Sequence, residues 1–288
     1  MFDIFKNRLE LTGKLWTVTA LRISAGRSTE PIGSDLPVIK DALGYPLIPG
    51  ASFKGALRSR LESFVRGIVG SDRKLVANPA IEEEWSLTST EMRQLKEDYT
   101  DDAALTTAIL AQTDLISHLF GSPWVASKFQ VRDLTVLPAY WFGQYQERDG
   151  VAIDRDTETA ADGKLYDFQV VPAGTPFEFK AIVENAEEWE LGLLMIGLHQ
   201  FETEQIPLGG GRSRGLGVVK LEIDKMDWFD TEDDPNHLLT YLQNLIEGKI
   251  TTYQCNPKQQ KALKQDWTNA LITYLRQKVN SLSKIEAH

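Results

Sequence analysis

Residues 53–68 read Phe53-Lys-Gly-Ala-Leu-Arg-Ser-Arg-Leu-Glu-Ser-Phe-Val-Arg-Gly-Ile68. Phe53, Leu57, Leu61, Phe64 and Ile68 recur at spacings of 4, 4, 3 and 4, which lays one apolar stripe along a helix. Ser52 stands where an N-cap belongs. The breaker-dense run Gly44-Tyr-Pro-Leu-Ile-Pro-Gly50 leads into it. Before that run, residues 15–23 (LWTVTALRI) alternate in part and are rich in β-formers, which predicts a strand. After the helix, residues 71–115 are polar, acidic and mostly helical in pattern, an insertion. Leu115 to Phe120 ends a helix at Gly121-Ser-Pro123. Further strands are expected at 129–137 (FQVRDLTVL), 175–184 (TPFEFKAIVE) and 218–223 (VVKLEI), with a helix at 187–201 before the last of them. The order strand, helix, strand, strand, helix, strand is the ferredoxin-like pattern.

The expected architecture is therefore α+β, with a ferredoxin-like (RRM-like) βαββαβ core over residues 1–223. The polar stretch 143–168, with turn signals Asp149-Gly150 and Asp162-Gly163, reads as an inserted β-hairpin with little core of its own. Residues 224–288 read as an acidic linker (224–236) and a helical extension (237–247 and 258–283). Many RNA-binding modules use such a four-stranded sheet to stack bases on exposed aromatics. The strand 129–137 lacks that aromatic signature, so an ordinary RNA-recognition motif is not expected.

Composition narrows the class. With 42% hydrophobic and 25% charged residues over 288 positions, the chain has the ordinary balance of a globular protein. No apolar run approaches the roughly 18 residues of a membrane span, and Met1 to Leu11 has no apolar core of a secretory signal. Cys255 is the one cysteine, which excludes an internal disulfide and a cysteine-rich zinc site and fits a reducing cytoplasm. The expectation is a cytoplasmic protein with no membrane partner. The net charge of −10 looks hostile to a polyanion. It is concentrated, however: residues 80–115 carry nine acids against two bases, and 222–236 seven against one. Binding depends on the field within a Debye length of about 8–10 Å, so a local basic surface can still take nucleic acid.

Residues 209–217, GGGRSRGLG, are the most distinctive local feature. Glycine has no side chain to pack and costs conformational entropy, so the loop suits close backbone approach to an anion, with Arg212 and Arg214 as phosphate donors. The alternative is a long helix-to-strand turn. The loop is no P-loop, and Gly211-Arg-Ser-Arg-Gly215 leads into a strand rather than a helix, the wrong context for a hydrolase using Ser213. Lys54, Arg58, Arg60 and Arg66 ride on the first helix, and Lys54 opposes the dipole in its first turn, a conflict that a nearby anion would relieve. Alone, these read as a solvated face with an Arg58–Glu62 pair. Beside Arg22, Arg27 and Lys40 they read as a basic surface. Asp35, in Gly33-Ser-Asp-Leu-Pro37, sits in a turn-rich loop where most aspartates bond their own backbone. His118, His199, His237 and His288 make no metal-ligand spacing.

The run Ile39-Lys-Asp-Ala-Leu-Gly-Tyr-Pro-Leu-Ile-Pro-Gly-Ala-Ser-Phe-Lys-Gly-Ala-Leu-Arg58 resembles the opening of RAMP proteins of CRISPR systems. So do Leu119-Phe-Gly-Ser122, the arm Val151-Ala-Ile-Asp-Arg155 and the glycine loop. The likeness, over roughly residues 10–223, is to the repeated backbone subunit of type III effector complexes. It implies a core that binds guide RNA (crRNA), pairs it with target RNA, and stacks with neighbouring copies and other effector subunits. It implies that Asp35, in the loop after the first strand, cuts the target. It also implies that Lys54 and the loop Gly209, Gly210, Gly211 to Gly217 hold RNA, and that 143–168 is the thumb wedged into the duplex. A divalent cation, Mg²⁺, is expected for cleavage, with Asp35 a candidate ligand, and no zinc, since the zinc ligands of some members are missing. An ordinary aspartate, reference pKa about 3.9, is a weak base at pH 7, which favours positioning or metal binding for Asp35. Two other readings remain: a scaffold in which Asp35 is structural, and a guide-processing RNase with His118 or His199 as base.

Overall fold

The computed structural model describes residues 4–24, 26, 34–153 and 160–285. In chain order the elements are β1 (Asn7–Thr17), β2 (Leu47–Ile48), α1 (Gly50–Val69), α2 (Ser89–Asp98), α3 (Asp102–Ala111), α4 (Ser117–Phe120), β3 (Phe129–Val131), β4 (Leu134–Thr135), β5 (Gln146–Ile153), β6 (Ala160–Val170), β7 (Pro176–Glu184), α5 (Glu188–Glu202), β8 (Val219–Asp230), α6 (Pro235–Ile246) and α7 (Pro257–Ile285). The protein is mixed α+β, with antiparallel sheets.

The main sheet has the order β3-β7-β1-β8, and every neighbouring pair is antiparallel. Side chains alternate between faces along a strand, so Leu9, Leu11 and Leu15 of β1, Phe177, Phe179 and Val183 of β7, and Val219 and Leu221 of β8 all turn to one face and are buried. Helices α1 and α5 cover that face. Phe53 of α1 lies 5.3 Å from the Phe179 ring and 4.4 Å from Phe201 of α5. Helix α7 packs along α5 and buries Trp267, Leu271 and Leu275. Lys128, just before β3, clamps Glu190 of α5 at 2.6 and 2.8 Å in the interior. Glu190 in turn accepts the Glu187 N–H and closes the start of α5.

The other face of the sheet carries charge. Arg8 pairs with Glu184 and, at 3.2 Å, with Glu10, while Glu10 also pairs with Lys180. Lys14 meets Asp224 and Lys220 meets Glu222. This is the surface that base-stacking modules line with aromatics; here ion pairs run across it, Trp16 donates to Glu222, and Phe229 is covered by Tyr241 of α6. The acidic insertion builds a small core of its own: Leu87, Met92 and Leu95 pack with Leu105, Ala108, Ile109 and Trp124.

Several expectations need correction. The first strand lies at Asn7–Thr17 and overlaps the expected 15–23 only at its end. Residues 18–24 are extended but bond to several different partners, described below. The strand expected over 129–137 is divided: β3 joins the main sheet, and β4 turns away to pair with β2, Ile48 opposite Leu134. The last strand continues to Asp230, so the acidic run 224–230 is strand rather than linker. Met226, opposite Leu11, turns into the core, while Phe229, opposite Arg8 on the other face, is buried under Tyr241 of α6 at 4.0 Å, so both faces of this acidic stretch are anchored. Asp149-Gly150 and Asp162-Gly163 lie inside β5 and β6, not at turns. At Gly150 a Cβ would collide with the Tyr166 ring crossing from the partner strand. In α1 the buried apolar side chains are Phe53, Leu57, Leu61, Val65 and Val69, spaced by four, which leaves Phe64 (37%) and Ile68 (49%) exposed.

Candidate nucleic-acid interface

The Pro49-Gly50 pair sets the first wall. Gly50 starts α1 where a Cβ would meet the carbonyl oxygens of Val131 and Arg132 at 2.7 and 2.9 Å. Its N–H donates to Asp133 Oδ1 at 2.8 Å. A carboxylate therefore already meets the N-terminus of the helix, and Ser52, expected as the N-cap, is already inside the helix. From there α1 shows small residues, Ser52, Gly55, Ser59 and Ser63, to a groove of about 590 Å³. Arg60 and Arg212 line the same groove. Arg60 donates to the Gln205 carbonyl at 3.0 Å and lies 5.2 Å from the Phe64 ring centre.

The glycine loop forms the opposite wall, between α5 and β8. Gly211 (φ 77°) and Gly215 (φ 80°) are left-handed and bracket a single 3₁₀ turn at 212–214, a conformation that strongly favours glycine. The N–H groups of Gly210 and Gly217 donate to the carbonyls of Arg22 and Ala20. Those of Arg214, Gly215 and Leu216 close the loop on itself. The expected row of free N–H groups is thus largely spent, and those of Gly211, Arg212 and Ser213 are not used in this way. Charge comes from side chains. Arg212 Nε holds the Gly209 carbonyl at 3.1 Å, and Arg214 donates to the Tyr166 hydroxyl at 3.1 Å. Arg22 stands 4.5 Å over the Phe168 ring. Arg214 and Arg22 together draw the Tyr166 phenol below its ordinary pKa.

Residues 18–24 hold this region together. On one side Ala20 and Arg22 receive the glycine loop. On the other, Leu21 bridges to Val171 at the root of β6. Further along, Ser24 bridges to Val38, and the Ile39 N–H donates to Ile23. The loop carrying Asp35 is docked on β6 as well: Leu36 bridges to Phe168, and the Gln169 N–H donates to the Leu36 carbonyl at 3.1 Å. The Asp35 N–H donates to Asp167 Oδ1 at 2.7 Å, and the Asp167 N–H points at Asp35 Oδ2 at 3.4 Å. Ala20, Phe168, Val170 and Leu216, with Leu36 and Tyr166, form a separate apolar cluster beneath.

Residues 18–24 and β6 thus link the main chain of the Asp35 loop to the segments that carry Arg22, Arg214 and the glycine loop, with Arg212 on the groove. Lys40 is exposed, with its ammonium 4.3 Å over the Tyr145 ring. Lys54 and Arg58 are turned into the protein instead. Lys54 donates to Ser127 Oγ at 2.7 Å and to the Phe129 carbonyl, and burial, with Arg58 nearby, pulls its pKa below the usual lysine value. Arg58 is spent on Glu62, the Gly121 carbonyl and Ser117. Arg27 lies outside the described residues, as do Asp154 and Arg155 of the arm. His118 is half-buried beside Trp189 and Tyr274, and burial and Lys128 push its pKa down to about 4. His199 pairs with Glu202 on α5, and neither histidine lines the groove. Sequence reading passed over Arg60 as a groove residue and missed Asp167. The signal for Arg60 was its phase: two residues from Arg58, it points about 200° away around the helix. Nothing local marked Asp167, which meets Asp35 across more than a hundred residues.

Comparison with known proteins fits this arrangement. The family described as the RAMP superfamily matches residues 14–220. The CRISPR system Cms endoribonuclease Csm3 of Enterococcus italicus is 26% identical over 234 residues, covering 81% of this chain and 98% of that protein. The protein of the same name from Methanocaldococcus jannaschii is 25% identical over 242 residues, 77% of this chain and 81% of that one. The Mycobacterium tuberculosis protein of that name is 45% identical over a shorter stretch of 56 residues, 19% of this chain and 24% of that protein.

Proposed function

The chain belongs to the RAMP superfamily, and from that membership we propose that it is a guide-RNA-binding backbone subunit of a type III CRISPR ribonucleoprotein whose Asp35 cuts the paired target RNA. The sheet order β3-β7-β1-β8 with α1 and α5 on one face supports reading the core as the ferredoxin-like βαββαβ arrangement. On this reading β5–β6 is the thumb. The guide lies in the groove between α1 and the glycine loop, its phosphates met by Arg60 and Arg212, and Arg22, Arg214 and Lys40 extend the cationic path. Lys54 and Arg58 serve the fold beneath it. Such contacts read phosphates and shape, so the guide's bases stay free to read the target by pairing. The names of the relatives, endoribonucleases of a CRISPR system, support both the assembly and the activity.

The single observation that carries the catalytic part is the docking of the Asp35 loop on the root of the hairpin. A regular duplex holds a 2′-hydroxyl poorly in line with its own 3′-phosphate, and a wedge that splays the strand can correct that. The 2′-oxygen then attacks phosphorus, the bond to the 5′-oxygen breaks, and a 2′,3′-cyclic phosphate and a 5′-hydroxyl remain. The 2′-hydroxyl proton leaves to a base and a proton reaches the departing 5′-oxygen. Asp35 holds or accepts at the 2′-hydroxyl. The neighbouring donors are hard oxygens, two carboxylates and Ser34 Oγ, which is buried and unpartnered among the described residues. That set suits Mg²⁺, which takes one or two carboxylates together with substrate phosphates. Asp35 would hold it, Asp167 being engaged as the acceptor of the Asp35 N–H, and it would supply charge stabilisation at the phosphate.

A scaffold reading finds support in the same contact, since the Asp35 carboxylate receives the Asp167 N–H and a structural aspartate would do so too. Asp35→Ala in the assembled complex separates the two. Retained guide and target binding with loss of cutting at regular intervals is the expected result. Unchanged cutting refutes the catalytic assignment.

A further inference from the structure

We propose that Asp167 is the positioning residue that aims the Asp35 carboxylate, and that through it the cleavage loop and the β5–β6 hairpin move as one body. The inference rests on the assignment of cutting to Asp35 and adds the device that makes it efficient.

The anchors of the Asp35 loop among the described residues lie downstream of it. Downstream, Leu36 bridges to Phe168, Val38 bridges to Ser24 and the Ile39 N–H reaches Ile23. At Asp35 itself, the main-chain N–H donates to Asp167 Oδ1 at 2.7 Å. That length is short for N–H···O and typical of a charge-assisted bond. The return contact, from the Asp167 N–H to Asp35 Oδ2 at 3.4 Å, orients the carboxylate. Asp167 cannot drift, because Tyr166 and Phe168 on either side are built into the apolar cluster with Ala20, Leu36, Val170 and Leu216. The bond therefore transmits the position of β6 to Asp35. When the hairpin displaces a target nucleotide, the carboxylate arrives with it rather than searching for it. Misplacement by about 1 Å can cost a hundredfold in rate, so a device of this kind affects cutting far more than RNA binding. The role needs an acceptor at Asp167 Oδ1 and does not need its charge.

The test uses the assembled ribonucleoprotein with guide bound, comparing Asp167→Ala, Asp167→Asn, Asp167→Glu and Asp35→Ala in single-turnover cleavage alongside target affinity. Asp167→Ala should cut about ten- to a hundredfold more slowly with target affinity unchanged. Asp167→Asn, which keeps the acceptor in place, should restore cutting to within a few-fold. Asp167→Glu, which keeps charge but displaces the acceptor, should be slow; it also decides the matter should the alanine variant fail to assemble. Wild-type rates in both Asp167→Ala and Asp167→Glu overturn the proposal while Asp35 stands. An Asp167→Asn variant as slow as Asp167→Ala overturns it too, since Asp167 would then act through charge. Cutting by Asp35→Ala refutes the parent assignment and this one with it.

Discussion

The sharpest consequence of the groove geometry concerns three arginines that sequence alone cannot rank. Arg60 and Arg212 line the groove, while Arg58, on the same helix, has its donors committed to Glu62, Gly121 and Ser117. Each phosphate contact to a single strand adds about 0.7 to the slope of log affinity against log salt. Replacing Arg60 and Arg212 by Ala together should therefore flatten that slope by about 1.4. Between 50 and 200 mM salt, the wild-type affinity would fall about sevenfold more than that of the double variant. Stability should hardly move, because exposed substitutions of this kind stay within about 0.5 kcal/mol. Arg58→Ala should do the reverse. It leaves the Gly121 carbonyl and Ser117 without this donor and Glu62 with Arg66 at 3.4 Å, which costs about 1–3 kcal/mol, and it leaves the slope unchanged. The assay is binding of the full chain to a single-stranded guide RNA over a salt series, with urea unfolding in parallel. If Arg58→Ala flattens the slope as the double variant does, or if the double variant leaves it untouched, the guide does not lie in this groove.

Two further outcomes follow from the interior. Lys128→Met strands the Glu190 carboxylate in a site that is 0% exposed, at a cost of about 3–5 kcal/mol. Burial raises the Glu190 pKa above the ordinary value, with Lys128 the main opposing influence. A carboxyl whose folded pKa is raised is least costly below its unfolded pKa and loses stability as pH climbs through the folded value. The gap between variant and wild type should therefore shrink from pH 8 to pH 5 in urea unfolding, and an equal gap at both would refute the account. Gly50→Ala should lower stability by about 1–3 kcal/mol through overpacking, since its Cβ meets two main-chain carbonyl oxygens inside 3 Å. A thermal midpoint equal to wild type would show that α1 starts without that close approach.

How much of this was legible depended on the range of the interactions. Helices α1, α5 and α7 follow local periodicity and were found within a few residues. Strand β1 was missed over Asn7–Thr12 because Arg8, Glu10 and Thr12 look polar. They lie on the ion-paired face, and their partners Lys180 and Glu184 come from a distant strand. The basic residues could be counted but not oriented. Lys54 and Arg58 turn inward because Ser127, Phe129, Ser117 and Gly121 offer acceptors there, all contributed by residues 117–129. The glycine loop was conspicuous, yet its glycines serve close approach as much as any ligand: at Gly209 and Gly217 a Cβ would strike the carbonyls of Arg22 and Leu208.

The segment 18–24 shows why a misplaced strand could still point at the right region. Its composition is that of a strand because it behaves as one, giving and receiving main-chain bonds on both sides. A strand in a sheet has the same neighbour along its length; this segment changes neighbours every two or three residues. It meets the glycine loop at Ala20 and Arg22, the hairpin root at Leu21, and the Asp35 loop at Ile23 and Ser24. Among the described residues, these pieces rest partly on the cluster around Phe168 and partly, through Leu21, Val38, Val171 and Leu208, on the edge of the main core, while the bonds that join them to one another run through this segment. Their mutual geometry is therefore set by main-chain hydrogen bonding to one extended segment, which itself continues from β1 in the rigid sheet. That arrangement ties the spacing of the glycine loop, the hairpin root and the aspartate to one segment.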